Sequence, residues 1–193
     1  MDSLAPEVVE PLLRGRFGRP YRYVERCEST QRLLTEGDPE GAVAATEEQT
    51  AGRGRLGRTW EAPPQTSVLV SVLLRPPVGA ERWPTLSPVA GAAVAEAVTA
   101  TTGAEASLKL PNDVLVHGRK VAGVLAEASD GRIILGIGVN ANQTREQLPS
   151  GAHATSLRLE TGRAVARAEL LAAILDRLED AYDRWVSESG AAG

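Results

Sequence analysis

Between Ser107 and Asn140 the chain has room only for short strands folded back on one another. Ser107-Leu108-Lys109-Leu110 and Val114-Leu115-Val116 are brief stretches separated by Pro111-Asn112-Asp113, a turn sequence. His117-Gly118-Arg119 turns the chain again, and Lys120 to Glu127 reads as a returning strand. Asp130-Gly131 is a hairpin signal, with a further strand from Arg132 to Asn140 behind it. Strands joined by tight turns run antiparallel, because a parallel pair needs a long crossover. The stretch therefore predicts a largely antiparallel sheet instead of a βαβ wind. Gly136 and Gly138 fall on one face at period 2, which predicts a ligand or another backbone lying close against that face.

Helices and further strands complete the pattern. Tyr21–Val24 alternates like a strand, Ala42–Thr46 reads as a short buried one, and Thr66–Leu74 as one buried on both faces. Pro6 to Leu13 predicts a short helix interrupted by Pro11. Ser29 or Thr30 is placed to cap a following helix. Pro84 to Thr102 carries apolar residues at helical spacing, with Gly103 at the stop position. A second amphipathic helix spans about 164–187, from Leu170 to Trp185 along its apolar stripe. Residues 141–162 read as loop, and Ser187–Gly193 as a frayed tail. With no internal repeat and no linker, the expectation is one α+β domain over residues 1–193, its core about 21–187.

Composition narrows the function. Aromatic residues make up only 4% of the chain, so Val, Leu, Ile and Ala must build the core. A net charge of −4 argues against a general nucleic-acid binder, so DNA is not an expected partner. Cys27 is the one cysteine; it excludes an intrachain disulfide, fits a reducing cytoplasm and reads as a small hydrophobe. No apolar run reaches the roughly 18 residues of a membrane span. Asp2 and Glu7 do not open a secretory signal. The expected location is the cytoplasm, with no membrane partner.

The chemistry gathers at residues 49–60, Gln-Thr-Ala-Gly-Arg-Gly-Arg-Leu-Gly-Arg-Thr-Trp. Glycine permits close backbone approach, and arginine presents a charged fork suited to phosphate and carboxylate. Ordering the nine residues from Gly52 to Trp60 costs at most roughly 9–18 kcal/mol of backbone entropy. The stretch is therefore expected to be a mobile loop that closes over an anionic ligand. Lys109, Asn112 and Asp113 surround the tight turn, Lys120 opens the next strand, and Asn140 ends the glycine-spaced one. This excess of cations and amides suits a nucleotide phosphate plus a carboxylate. Asp113 is the acid available to Mg²⁺. No Walker loop, dinucleotide fingerprint or Cys/His zinc cluster is present, and His117 and His153 read as surface residues. Cations without a nucleophile suit joining a carboxylate to the α-phosphate of ATP, where the carboxylate itself attacks.

Five motifs in order resemble the catalytic domain of bacterial biotin protein ligases, also called biotin–[acetyl-CoA-carboxylase] ligases. They are Ser29-Thr30, the 49–60 loop, Lys-Leu-Pro-Asn-Asp (109–113), Lys-Val-Ala-Gly-Val-Leu-Ala-Glu (120–127) and Gly-Ile-Gly-Val-Asn (136–140), and the likeness covers roughly residues 23–186. It implies a mixed sheet like the class II aminoacyl-tRNA synthetase core. It implies that biotin and MgATP give biotinyl-5′-AMP, and that a lysine of the biotin carboxyl carrier protein then takes the biotinyl group. On this resemblance Ser29, Thr30, Gln31 and Gln49 read the biotin rings, while Gly123 and Leu125 wall its tail. Arg53, Gly54 and Arg55 cover the carboxylate and phosphate. Lys109 and Lys120 neutralise the acyl-phosphate junction. Asn112, Asp113 and Asn140 serve nucleotide and metal, with Arg58 on the nucleotide side and Trp60 near the adenine. Lys109, Arg55, Lys120 and Asp113 form the expected catalytic set.

Departures are visible too. Gln31 stands where the family has Asn, and Leu110 where its Lys-Trp-Pro-Asn-Asp motif has Trp. Neither an N-terminal winged helix-turn-helix nor a small C-terminal β-domain is expected from these residues. The family also contains homodimers paired along sheet edges. Competing readings are a lipoate–protein ligase, a non-catalytic biotin or adenylate sensor, and an RNA-binding protein using the basic loop.

Overall fold

A computed structural model describes residues 2–149 and 153–190. Seven strands form one mixed sheet: β1 (Tyr21–Cys27), β2 (Val43–Gln49), β3 (Ser67–Leu74), β4 (Ala106–Lys109), β5 (Asp113–Val116), β6 (Arg119–Ser129) and β7 (Arg132–Asn140). Their spatial order is β1-β2-β3-β7-β6-β5-β4. Only the β1–β2 pair is parallel; the others are antiparallel. The β6–β7 turn has Asp130 and Gly131 at φ 50° and 74°, as a tight hairpin with two left-handed residues requires.

Among the described residues four α-helices accompany the sheet: α1 (Pro6–Val9), α2 (Leu86–Thr102), α3 (Leu157–Thr161) and α4 (Arg167–Gly190). Gly103 ends α2 in the left-handed conformation at φ 77°. Alternation in β7 sends Ile133, Leu135, Ile137 and Val139 into the core. There they join Val94 and Val98 of α2 and Leu171, Ile174 and Leu178 of α4. Ile134, Gly136 and Gly138 therefore face the other way; Ile134 packs with Leu34, Ala44 and Leu73, and the two glycines border the site. β3 is buried along its whole length, as its uninterrupted valines and leucines predict.

Three expectations are corrected. The 141–162 segment is not all loop, because Ser156 caps α3 by accepting from Leu159 N. The expected tail at Ser187 continues α4 to Gly190; residues 191–193 and Gly151 lie outside the described residues. Thr30–Leu33 is a single 3-10 turn with no side-chain cap, so Ser29 and Thr30 are not capping residues.

One buried ion network was not legible in the sequence. Arg167 has no solvent exposure; its Nη1 donates to Glu47 Oε2 at 2.6 Å and its Nε to Asp2 Oδ2 at 2.8 Å. Leu4 N donates to Glu47 Oε1 at 2.8 Å. The N-terminal residues are thereby tied to β2 and α4, and each buried charge has its partner.

Candidate active site

The sheet face turned away from α2 and α4 carries a cavity of about 290 Å³. That is the lower end of the range for small-molecule sites. Its floor is glycine. Gly123 and Gly138 are register partners on β6 and β7, and Leu125 pairs with Gly136. The Trp60 indole lies on this floor: a Cβ on Gly138 would stand 2.6 Å from Trp60 Cε2, and one on Gly123 3.2 Å from Cζ3. The glycine spacing thus makes way for a side chain of the chain itself. Trp60 Nε1 is buried without a hydrogen-bond partner among the described residues, a donor directed to no protein acceptor.

One end of the cavity is lined by neutral polar groups. Gln49 Oε1 accepts from Thr30 N at 2.8 Å and from Thr30 Oγ1 at 3.2 Å. Thr30 Oγ1 and Ser71 Oγ are 2.7 Å apart. Gln31 is buried and extends over Gly136, its Nε2 3.4 Å from the carbonyls of Leu125 and Ile134. The other end is charged. Lys120 Nζ lies 2.6 Å from Asp113 Oδ1 and 5.7 Å from the centroid of the Trp60 ring. Asn112 Nδ2 donates to Val124 O at 2.8 Å, fixing its amide so that Oδ1 accepts from Arg55 Nη1 at 3.1 Å.

The 49–60 stretch covers this cavity as a small hairpin rather than an irregular loop. Arg53 bridges to Thr59, Gly54 N donates to Arg58 O at 2.8 Å, and Trp60 N donates to Gly52 O at 2.9 Å. Its tip is a 3-10 turn from Arg55 to Gly57, with Leu56 at φ 58° and 90% exposed. Gly52 is required here, since a Cβ would meet Trp60 O at 2.4 Å.

Most expected residues come together. Ser29, Thr30, Gln31, Gln49, Arg53, Gly54, Arg55, Arg58, Trp60, Asn112, Asp113, Lys120, Gly123 and Leu125 all line the cavity. Asn140 does not. It is buried at the end of β7, with Nδ2 donating to Thr155 O and Oδ1 accepting from Gln143 Nε2, both at 3.1 Å. Its amide is used inside the fold. Lys109 also lies outside the lining; it is exposed at the end of β4, register partner of Asp113. Asp113 does not form a protein metal cage. Lys120 occupies one of its oxygens, and no group of three or more His, Cys, Asp or Glu that could hold a metal occurs among the described residues.

Sequence reasoning missed Ser71 and Glu127. Ser71 is the polar residue inside an apolar strand, and Glu127 shares the period-2 face of Gly123 and Leu125; both patterns were available. Cys27 offers no competing nucleophile, because burial pushes its thiol upward. His117 is an exposed turn residue whose Nδ1 lies 2.8 Å from Glu160 Oε2.

Residues 23–143, a continuous span holding every element of this cavity, match the biotin/lipoate A/B protein ligase family. The chain belongs to that family. It is 40% identical to the biotin–[acetyl-CoA-carboxylase] ligase of Mycobacterium tuberculosis, over 95% of this chain and 74% of that protein. It is 34% identical to the bifunctional ligase/repressor BirA of Bacillus spizizenii over 86% of its own length, but spans only 54% of that relative. Among solved structures, the biotin protein ligase of Aquifex aeolicus in complex with biotin and ATP superposes with a TM-score of 0.78 at 36% identity. That match covers 86% of this chain and 72% of the other. No helix of the described residues is long and apolar enough to cross a membrane.

Proposed function

We propose that this chain activates biotin as biotinyl-5′-AMP and transfers it to a lysine of a biotin carboxyl carrier protein. The observation that carries this reading is the cavity's polarity: neutral hydrogen-bonding groups at one end, cations at the other, a glycine floor between. A cyclic urea fits the first end, where Thr30, Gln31, Gln49 and Ser29 offer both donors and acceptors. The carboxylate at the end of its chain then reaches Lys120 and Arg55.

In the first step a biotin carboxylate oxygen attacks the α-phosphorus of ATP. A P–O bond forms to the carboxylate, the bond to the β-phosphate bridge breaks, and pyrophosphate leaves. Lys120 and Arg55 stabilise the charge that builds on the α-phosphoryl oxygens, and Asp113 orients Lys120. Lys109 is retained as a second cation at this junction, standing beside Asp113 in register. Arg58, Trp60 and Asn112 serve the nucleotide. Positioning and charge stabilisation supply the rate, with no protein nucleophile. In the second step the neutral amine of the carrier lysine attacks the acyl carbon: an amide C–N bond forms, the acyl C–O bond to the phosphate breaks, AMP leaves with the electron pair, and the amine's proton passes to water. A divalent ion fits this scheme as magnesium carried on the triphosphate, with Asp113, beside Lys120, the carboxylate that would reach it. The single cysteine, Cys27, suits a reducing compartment, and the cytoplasm is the compartment this reading takes.

The test is biotin-dependent ATP–pyrophosphate exchange, with lipoate in parallel. Exchange with biotin alone supports the assignment. Exchange with lipoate alone moves it to the sister activity, and exchange with neither overturns it.

A further inference from the structure

Gly123, Leu125 and Glu127 succeed one another down one face of β6. The first two line the cavity, and Glu127 stands just past its edge, where its Oε2 meets Arg53 Nη2 at 2.6 Å. Arg53 is at the root of the covering hairpin, bridged to Thr59. The hairpin has a second strap at its tip, from Arg55 to Asn112.

Register separates the two straps. Glu127 pairs with Ile134, next to the carbonyls of Leu125 and Ile134 that face Gln31. Asn112 precedes Asp113, which pairs with Gly123 beneath Lys120. A phosphate held by Lys120 competes with Asn112 for Arg55. It lies at the wrong end of the cavity to compete with Glu127 for Arg53. We propose that Glu127 is a positioning residue: through Arg53 it holds the hairpin down while ligand is bound, and so sets how long the reactive acyl-adenylate stays enclosed. Arg53 is then a strap rather than the phosphate contact that the resemblance implies. The kinetic half of this proposal rests on the ligase reading; the strap itself rests on geometry alone.

The side chains are 50% and 38% exposed, so the pair is screened and its effect is modest. Wild type, Glu127→Gln and the charge swap Arg53→Glu with Glu127→Arg are digested with trypsin as full chains without added ligand. Cleavage after Arg55 and Arg58 reports hairpin opening, because the protease samples the open population. At low salt Glu127→Gln should be cut about twofold to fivefold faster than wild type. In 1 M salt, where the screening length is about 3 Å, the difference should vanish. The swap should return cleavage toward wild type, which a merely structural role would not do. Equal cleavage of wild type and Glu127→Gln, or a swap no better than the single variant, overturns the strap.

Release of preformed biotinyl-adenylate is then timed in the same proteins. Release about twofold to fivefold faster in Glu127→Gln supports the kinetic half. Adenylate that forms and leaves at the wild-type rate overturns it. If no adenylate forms even in wild type while the cleavage pattern holds, the ligase reading fails and the strap stands.

Discussion

Gly138→Ala tests whether the cavity is built around the Trp60 indole. The added Cβ would lie 2.6 Å from Cε2, 2.8 Å from Cζ2 and 3.0 Å from Cδ2. Carbon atoms rest at about 3.5–4.0 Å, so the ring must lift by about 1 Å. Gly138 sits in an ordinary strand without positive φ, so the backbone itself accepts alanine. Overpacking of this kind costs about 1–3 kcal/mol. Trp60 belongs to the covering hairpin rather than the core, and can yield, so the cost falls on closure and not on folding. Biotin affinity measured by calorimetry should weaken about 5-fold to 140-fold. The thermal midpoint should move by no more than about 2–4 °C. Gly131→Ala is the contrasting control. It has open space around it but φ 74°, so it should cost about 1–2 kcal/mol of stability and leave binding unchanged. Wild-type affinity in Gly138→Ala would refute the reasoning. So would an equal penalty in a Trp60→Ala background, where the indole is no longer there to be displaced.

The other predictions address charge. Lys120→Ala and Lys109→Ala should each slow biotin-dependent pyrophosphate release by about 10²–10³, the loss of one preorganised cation or donor; a near wild-type rate in Lys109→Ala would leave Lys120 alone at the junction. Arg55→Ala should shorten retention of biotinyl-adenylate about tenfold or more, as loss of a charged hydrogen bond requires; unchanged retention in a filter assay would remove Arg55 from closure. Glu47→Ala leaves the buried Arg167 with Asp2 as its remaining carboxylate partner and should cost up to about 3 kcal/mol, lowering the melting temperature by at most roughly 6–12 °C. Glu160 is pushed upward by burial, but Thr155, His117 and Arg119 outweigh this and hold it below the ordinary carboxylate range. Its stabilisation is therefore full above the unfolded value of about 4.3 and is lost as pH falls through the lower folded value. Denaturant unfolding should show the gap between wild type and Glu160→Gln holding down to about pH 5 and closing below it toward the acid limit; a gap constant throughout would contradict this.

The antiparallel half of the sheet was legible because its turns are written in residues with few alternatives. Asp130-Gly131 can supply two positive φ values, and Pro111-Asn112-Asp113 leaves no length for a crossover. The cavity was legible through Gly136 and Gly138, since glycine at period 2 in a strand signals close approach. What approaches was not legible: the partner is Trp60, brought there by a hairpin whose shape depends on backbone bonds such as Gly54 N to Arg58 O. Asn140 falls outside the cavity lining for a related reason. A polar residue ending a strand beside glycines resembles a ligand contact, but its face and its partners Thr155 and Gln143 are set by a segment with no sequence pattern of its own. Arg167 was invisible because its partners lie 165 and 120 residues away.

Seen in the fold, the Gln31 departure has a physical explanation. The extra methylene carries its amide out over β7, where Gly136 receives it: a Cβ at 136 would stand 3.2 Å from Gln31 Nε2. Any larger residue at 136 would compress the longer side chain, so Gln31 and Gly136 work as a pair, as Trp60 and Gly138 do two residues away. The floor is thus bare on each side for a specific visitor, the amide at the neutral end and the indole at the charged end. Gly136→Ala should therefore be less costly than Gly138→Ala, because a 3.2 Å contact with the tip of a flexible side chain relaxes by a few tenths of an ångström. The rigid indole at 2.6 Å has to leave its seat.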